Sequence, residues 1–157
     1  MFHDHGHPAK HVGKIYSWFG DAKAPRRDTE LGQLDIAIVE RSTGRALALI
    51  EIEETNDNPK KVIGDVFGVL LGDKVTFKGT DFHVGPWTTL IVLGKGPVGR
   101  RERNGLITGA AQTAQAGMQS RNHAVGEIVV ESIADMAELP ARLRELVEVV
   151  LRRDARA

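Results

Sequence analysis

Apolar and polar positions change period several times along the chain, and each change marks an element. Val12, Ile15, Tyr16 and Phe19 recur at three- and four-residue spacing. That spacing predicts a short amphipathic helix over 8–20, opened by Pro8 and closed by Gly20. The polar stretch 21–32 predicts a loop. Residues 33–40 alternate, with Leu34, Ile36 and Ile38 on one side. Residues 45–54 alternate again, with Leu47, Leu49, Glu51 and Glu53 on one face. Ser42-Thr43-Gly44 is a turn signal between them, so the two strands form an antiparallel hairpin.

Asn56-Asp57-Asn58-Pro59 then supplies an Asx cap and a first-turn proline for a helix. Its Val62, Ile63, Val66, Phe67, Val69 and Leu70 predict burial, Gly64 and Gly68 permit close approach to a sheet, and Gly72 ends it. Residues 73–87 show no period and predict irregular chain. Residues 88–93 (TTLIVL) are continuously apolar, the mark of a strand covered on both faces. A glycine-rich basic turn follows, then an Ala- and Gly-rich helix over 105–119 built on Leu106, Ile107, Ala110, Ala114 and Met118. Residues 126–131 predict a strand. A last helix over 133–153 carries Leu139, Leu143, Leu146, Val147, Val150 and Leu151 on one face. The order predicts an α/β sandwich with a central mixed β-sheet flanked by helices.

Composition narrows the chemistry. The chain of 157 residues is sized for one domain spanning 1–157, with 1–8 expected as a flexible His-rich arm. Absence of cysteine excludes disulfides, thiol catalysis and Cys-ligated zinc. No apolar run approaches the roughly 18 residues of a membrane span, and residues 1–20 lack the apolar core of a secretory signal. A soluble cytoplasmic protein with no membrane partner is the expectation. The 21 basic and 21 acidic residues cancel, but they are not mixed evenly. Glu30, Asp35, Glu40, Glu51, Glu53, Glu54 and Asp57 face only Arg41 and Arg45 over 30–58. Lys95, Arg100, Arg101 and Arg103 crowd the turn at 95–103, and more arginines follow Arg142.

The acidic hairpin is the informative feature. Pairing about a turn at 42–45 sets Asp35 opposite Ile52, between Glu51 and Glu53. Three carboxylates then converge at one end of the hairpin. Such acids repel when desolvated, and a hard divalent cation relieves the repulsion; Mg²⁺ takes one or two carboxylates, waters and substrate phosphates. The same residues also describe an exposed edge hairpin, its strand running out of the core into solvated glutamates.

The pattern GQLD at 32–35, then ALIEIE at 48–53, then a helix opening NPKK, resembles the PD-(D/E)xK nuclease superfamily over about residues 10–94. The resemblance implies a restriction-endonuclease-like α/β sandwich and metal-dependent endonuclease cleavage of DNA phosphodiester bonds. It matches Asp35 and Glu51 to the metal ligands, with the Ile52 carbonyl as a further ligand. Glu30 stands where many members carry an extra acid; it also suits a solvent-exposed loop. Glu53 occupies the motif lysine position and Leu34 the proline position, both departures. Some members use Glu there, as ligand or base, while others displace the lysine to the following helix. Lys60 or Lys61 would then hold the scissile phosphate, although both also fit as solvated lysines. The implied cofactor is Mg²⁺ or Mn²⁺, the partner DNA, and the assembly a homodimer built on the long apolar face of the C-terminal helices. The glutamate in place of lysine equally implies the alternative, a catalytically inactive nuclease-fold module binding DNA or a protein.

Two further signals weigh less. Gly94-Lys95-Gly96-Pro97-Val98-Gly99 has the spacing of a dinucleotide fingerprint, but no acid lies between Glu102 and Glu127 to take the ribose. No nucleotide cofactor is expected, and the turn is read as a phosphate contact through Lys95, Arg100, Arg101 and Arg103, or as a solvated charge run. His3, His5, His7 and His11 have imidazole spacing that binds Zn²⁺ or Ni²⁺, most simply as adventitious capture by a loose terminus.

Overall fold

The computed structural model describes residues 2–3, 15–18, 30–53, 59–77, 79–95, 109, 112–113, 116 and 125–155. Along the chain these form β1 (Phe2–His3), β2 (Ile15–Trp18), β3 (Glu30–Leu34), β4 (Ile36–Glu40), β5 (Arg45–Glu53), α1 (Pro59–Leu71), β6 (Lys74–Phe77), β7 (Thr80–His83), β8 (Thr89–Lys95), β9 (Glu127–Ile133) and α2 (Leu139–Asp154). The fold is α/β, with one mixed sheet.

β5 is its centre, because Ala46 to Ile50 are buried on both faces. It pairs antiparallel with β4 and parallel with β8, and β8 pairs parallel with β9. At its other end β5 meets β7 through Arg45 and His83. From there β6, β2 and β3 continue the sheet by antiparallel pairing. α1 packs against β2, β3 and β5. The core on that face gathers Leu49, Val66, Val69, Leu70, Val75, Phe82, Leu90 and Val92. On the other face Ile36, Ile50, Ile91 and Leu93 meet Val150, with Leu143, Leu146 and Val147 of α2 packed alongside. Both faces of β8 are thus covered, as its unbroken apolar run requires. The Thr88 hydroxyl ties the start of β8 to β5, donating to the Ala46 carbonyl at 2.7 Å and accepting the Gly85 amide at 3.0 Å.

Several elements differ from the sequence expectation. Ile15–Trp18 is a strand between β3 and β6, where a helix over 8–20 is predicted. Aromatic and β-branched residues suit a pleated surface, and two neighbouring strands outweigh a two-turn helical pattern; the rest of 8–20 lies outside the described residues. Phe2–His3 pairs with Ala37 and Ile36, so the expected flexible arm begins with a strand. Glu30 to Gly32 extend the expected strand upstream, and the chain breaks at Asp35 into two strands with different neighbours. The stretch 73–87, predicted irregular, contains the β6–β7 hairpin, closed by two residues that include Gly79 at φ 75°. Of the predicted helix over 105–119, Gly109, Gln112, Thr113 and Ala116 are described, and these are helical and exposed. The last helix starts at Leu139, later than predicted, after a 3₁₀ turn capped by the Asp135 carboxylate on the Ala137 amide.

Candidate functional site

The carboxyl ends of the parallel strands β5, β8 and β9 point the same way, and β4 begins at that same edge. In open α/β sheets this is the edge where ligands bind. Its acidic residues come from the hairpin. The register differs by one position from the expected one, because Gly44 at φ 70° closes the loop over Arg41 to Gly44 and Leu47 bulges out of the ladder. Ile36 therefore pairs with Ile50, and one further step sets Asp35 across from Glu51 rather than Ile52. The bulge also turns Leu47 to the α2 face, whereas Leu49 stays on the α1 face.

Asp35 sits in the bend where the chain leaves β3 for β4, and is half-buried. Its Oδ2 accepts the Ile52 amide at 2.7 Å. The carboxylate thus ties the bend to β5 just beyond the last ladder pair, Ile36 with Ile50, and it is fixed beside the Glu51–Glu53 strand end. Glu51 and Glu53 follow Leu49 by strand alternation onto the α1 face, and both are half-buried. The Oε1 atom of Glu51 is shielded from solvent. Ile52 lies between them, packed on the α2 side. Among the described residues, no three His, Asp or Glu side chains stand together as a closed metal-binding group.

The remaining expected residues fall as follows. Glu30 opens β3, at the far strand of the sheet path from β5. Lys60 and Lys61 lie in the first turn of α1, whose start follows the end of β5 by a few residues. Lys95 ends β8, exposed, one step past the pair of Glu53 with Gly94. Arg100, Arg101 and Arg103 and the histidines at 5, 7 and 11 lie outside the described residues.

One polar group at this edge has no counterpart in the sequence expectation. Arg142 on α2 grips Glu131 at the end of β9 by two hydrogen bonds of 2.5 Å, and reaches Glu145 at 2.6 Å. Its hydrogen bonds to Glu131, then to Glu145, hold the guanidinium above its ordinary pKa. These residues, with Ser132, Ile133, Glu138 and Ala141, line an open depression of about 400 Å³. Nothing in the local pattern announces the pair, since the strand and the helix that carry it meet only in the fold.

Comparison with family models, with curated proteins and with solved structures returns no match.

Proposed function

We propose that the chain is a metal-dependent endonuclease that hydrolyses DNA phosphodiester bonds, on a restriction-endonuclease-like version of the α/β fold. The observation that carries this reading is the Asp35 carboxylate held 2.7 Å from the Ile52 amide, beside the strand end that bears Glu51 and Glu53. Half-buried carboxylate oxygens at a strand edge are hard donors of the kind Mg²⁺ or Mn²⁺ takes, and two of them with water suffice. Asp35 and Glu51 would hold the ion, with the Ile52 carbonyl as a further donor; the expected contribution of Glu30 is not carried over, because it opens β3 five strand residues before Asp35. When bound there, the ion would supply a water of lowered pKa and offset charge on the phosphoryl oxygens.

Each side chain then has a separate task. Glu53 orients the attacking water and accepts its proton. Lys60 or Lys61, in the first turn of α1, holds the scissile phosphate. Lys95, with Arg100, Arg101 and Arg103, meets neighbouring phosphates and makes affinity fall with salt. A homodimer would give one site for each strand of the duplex.

Nicking of supercoiled plasmid in Mn²⁺ tests the assignment. Wild-type protein is expected to cut and Asp35→Ala to be inert. No cutting by clean wild-type protein in Mg²⁺ or Mn²⁺ would favour the second reading, a nuclease-fold binding module. That reading draws on Glu53 standing at the lysine position and on Asp35 serving the backbone of Ile52.

A further inference from the structure

Three strands end side by side at the carboxyl edge, and their register sorts the residues above α1 into rows. Glu51, Val92 and Val130 form one row across β5, β8 and β9. Glu53, Gly94 and Ser132 form the next row outward. Leu90, Val92 and Val130 belong to the core on the α1 face, so alternation carries Gly94 and the Ser132 side chain to that face too, while Ser132, on the edge strand, also borders the depression beside α2. The inner row has an apolar floor of two valines. The outer row has a carboxylate at one end, a hydroxyl at the other, and no side chain between them.

The middle of that row is open. Among the described residues, a Cβ built on Gly94 meets no atom within 4 Å, and Gly94 is not among the glycines at positive φ. Neither the backbone conformation nor packing among the described residues therefore demands glycine at this position. A glycine where a strand has room for any residue marks a place where something else approaches the backbone. Ser132 is exposed beside it.

We infer that the gap over Gly94 seats the phosphodiester backbone of the substrate, with the Ser132 hydroxyl donating a hydrogen bond to a non-bridging phosphate oxygen. Ser132 is then a positioning residue, across the gap from Glu53. The inference rests on the nuclease reading and deepens it. A seat one glycine wide lies directly beside Glu53, so a phosphate held there is within the reach of the residue that orients the water.

The test combines binding and cutting. Binding of a short fluorescein-labelled DNA duplex is followed by anisotropy with Ca²⁺, and plasmid nicking is followed with Mn²⁺. Gly94→Val fills open space, so its melting temperature should match wild type while duplex binding falls about tenfold or more. Ser132→Ala should raise KM several-fold with kcat little changed, and Ser132→Thr, which keeps the hydroxyl, should restore KM. Wild-type binding and cutting by a folded Gly94→Val protein would overturn the inference while leaving the nuclease reading intact. A wild-type protein that neither binds nor cuts DNA overturns both.

Discussion

The Asp35 carboxylate and the Ile52 amide, seventeen positions apart in sequence, meet at 2.7 Å just beyond the last ladder pair of β4 and β5. The contact gives Asp35 a structural task as well as the proposed chemical one, and the two are separable. Asparagine keeps an oxygen for the amide but not the charge. Asp35→Asn should therefore hold most of the stability, and Asp35→Ala should lose about 1–3 kcal/mol by stranding the donor. Both should abolish cutting, since both remove a charged ligand. Thermal melts run beside plasmid nicking check the split; a fully active Asp35→Asn protein would remove Asp35 from the ligand set.

Glu53 is the sharpest departure from the lysine-bearing pattern. If it handles the proton of the attacking water, Glu53→Gln should lower the nicking rate about 100-fold or more. Mn²⁺ affinity, read by isothermal calorimetry, should change far less than in Glu51→Gln. An equal loss of affinity in the two variants would make Glu53 a ligand instead of a base.

Ile91 is fully buried in β8, between β5 and β9, on the face that α2 covers. Ile91→Ala should cost about 2–5 kcal/mol, the range for removing a buried aliphatic side chain and leaving a cavity. A lowered urea midpoint with an unchanged slope is the expected signature.

The Arg142–Glu131 pair joins α2 to β9 at a partly exposed site, so its worth is about 1 kcal/mol or less. The folded guanidinium pKa is raised. On the arginine side the contribution is therefore complete below the ordinary guanidinium pKa and fades only as pH climbs through the higher folded value. Between about pH 7 and 11 the coupling energy should stay flat, while added salt should reduce it. A double-mutant cycle with Arg142→Met and Glu131→Gln, repeated across pH and salt, measures it.

Much of this arrangement is legible in the residues. The run TTLIVL reads as a covered strand and is one, and Asn58-Pro59 marks the start of α1 within a residue. The alternation of RALALIEIE gives β5 and its two glutamates on one face. Other features depend on events that no local window contains. Leu47 breaks the alternation because a four-residue loop closed by Gly44 leaves one residue too many on β5. Tyr16 and Trp18 join a strand because β3 and β6 flank them, neither of which has a strong pattern of its own. The row of Glu53, Gly94 and Ser132 exists only through two parallel pairings, made over long separations.

β5 changes partner along its length, bonding to β7 at Arg45 and to β8 from Ala48 onward. It is therefore a shared member of two sub-sheets, one with β8 and β9 and the other with the antiparallel β7, β6, β2 and β3, the latter joined to it by the single parallel bridge of Arg45 with His83. Different residues of the strand complete the two, Arg45 for one and Ala48 to Glu53 for the other. Loosening of the distant β6–β7 hairpin would therefore cost β5 one bridge at Arg45 and leave the pairing at its acidic end in place, so the two ends of the strand can open separately.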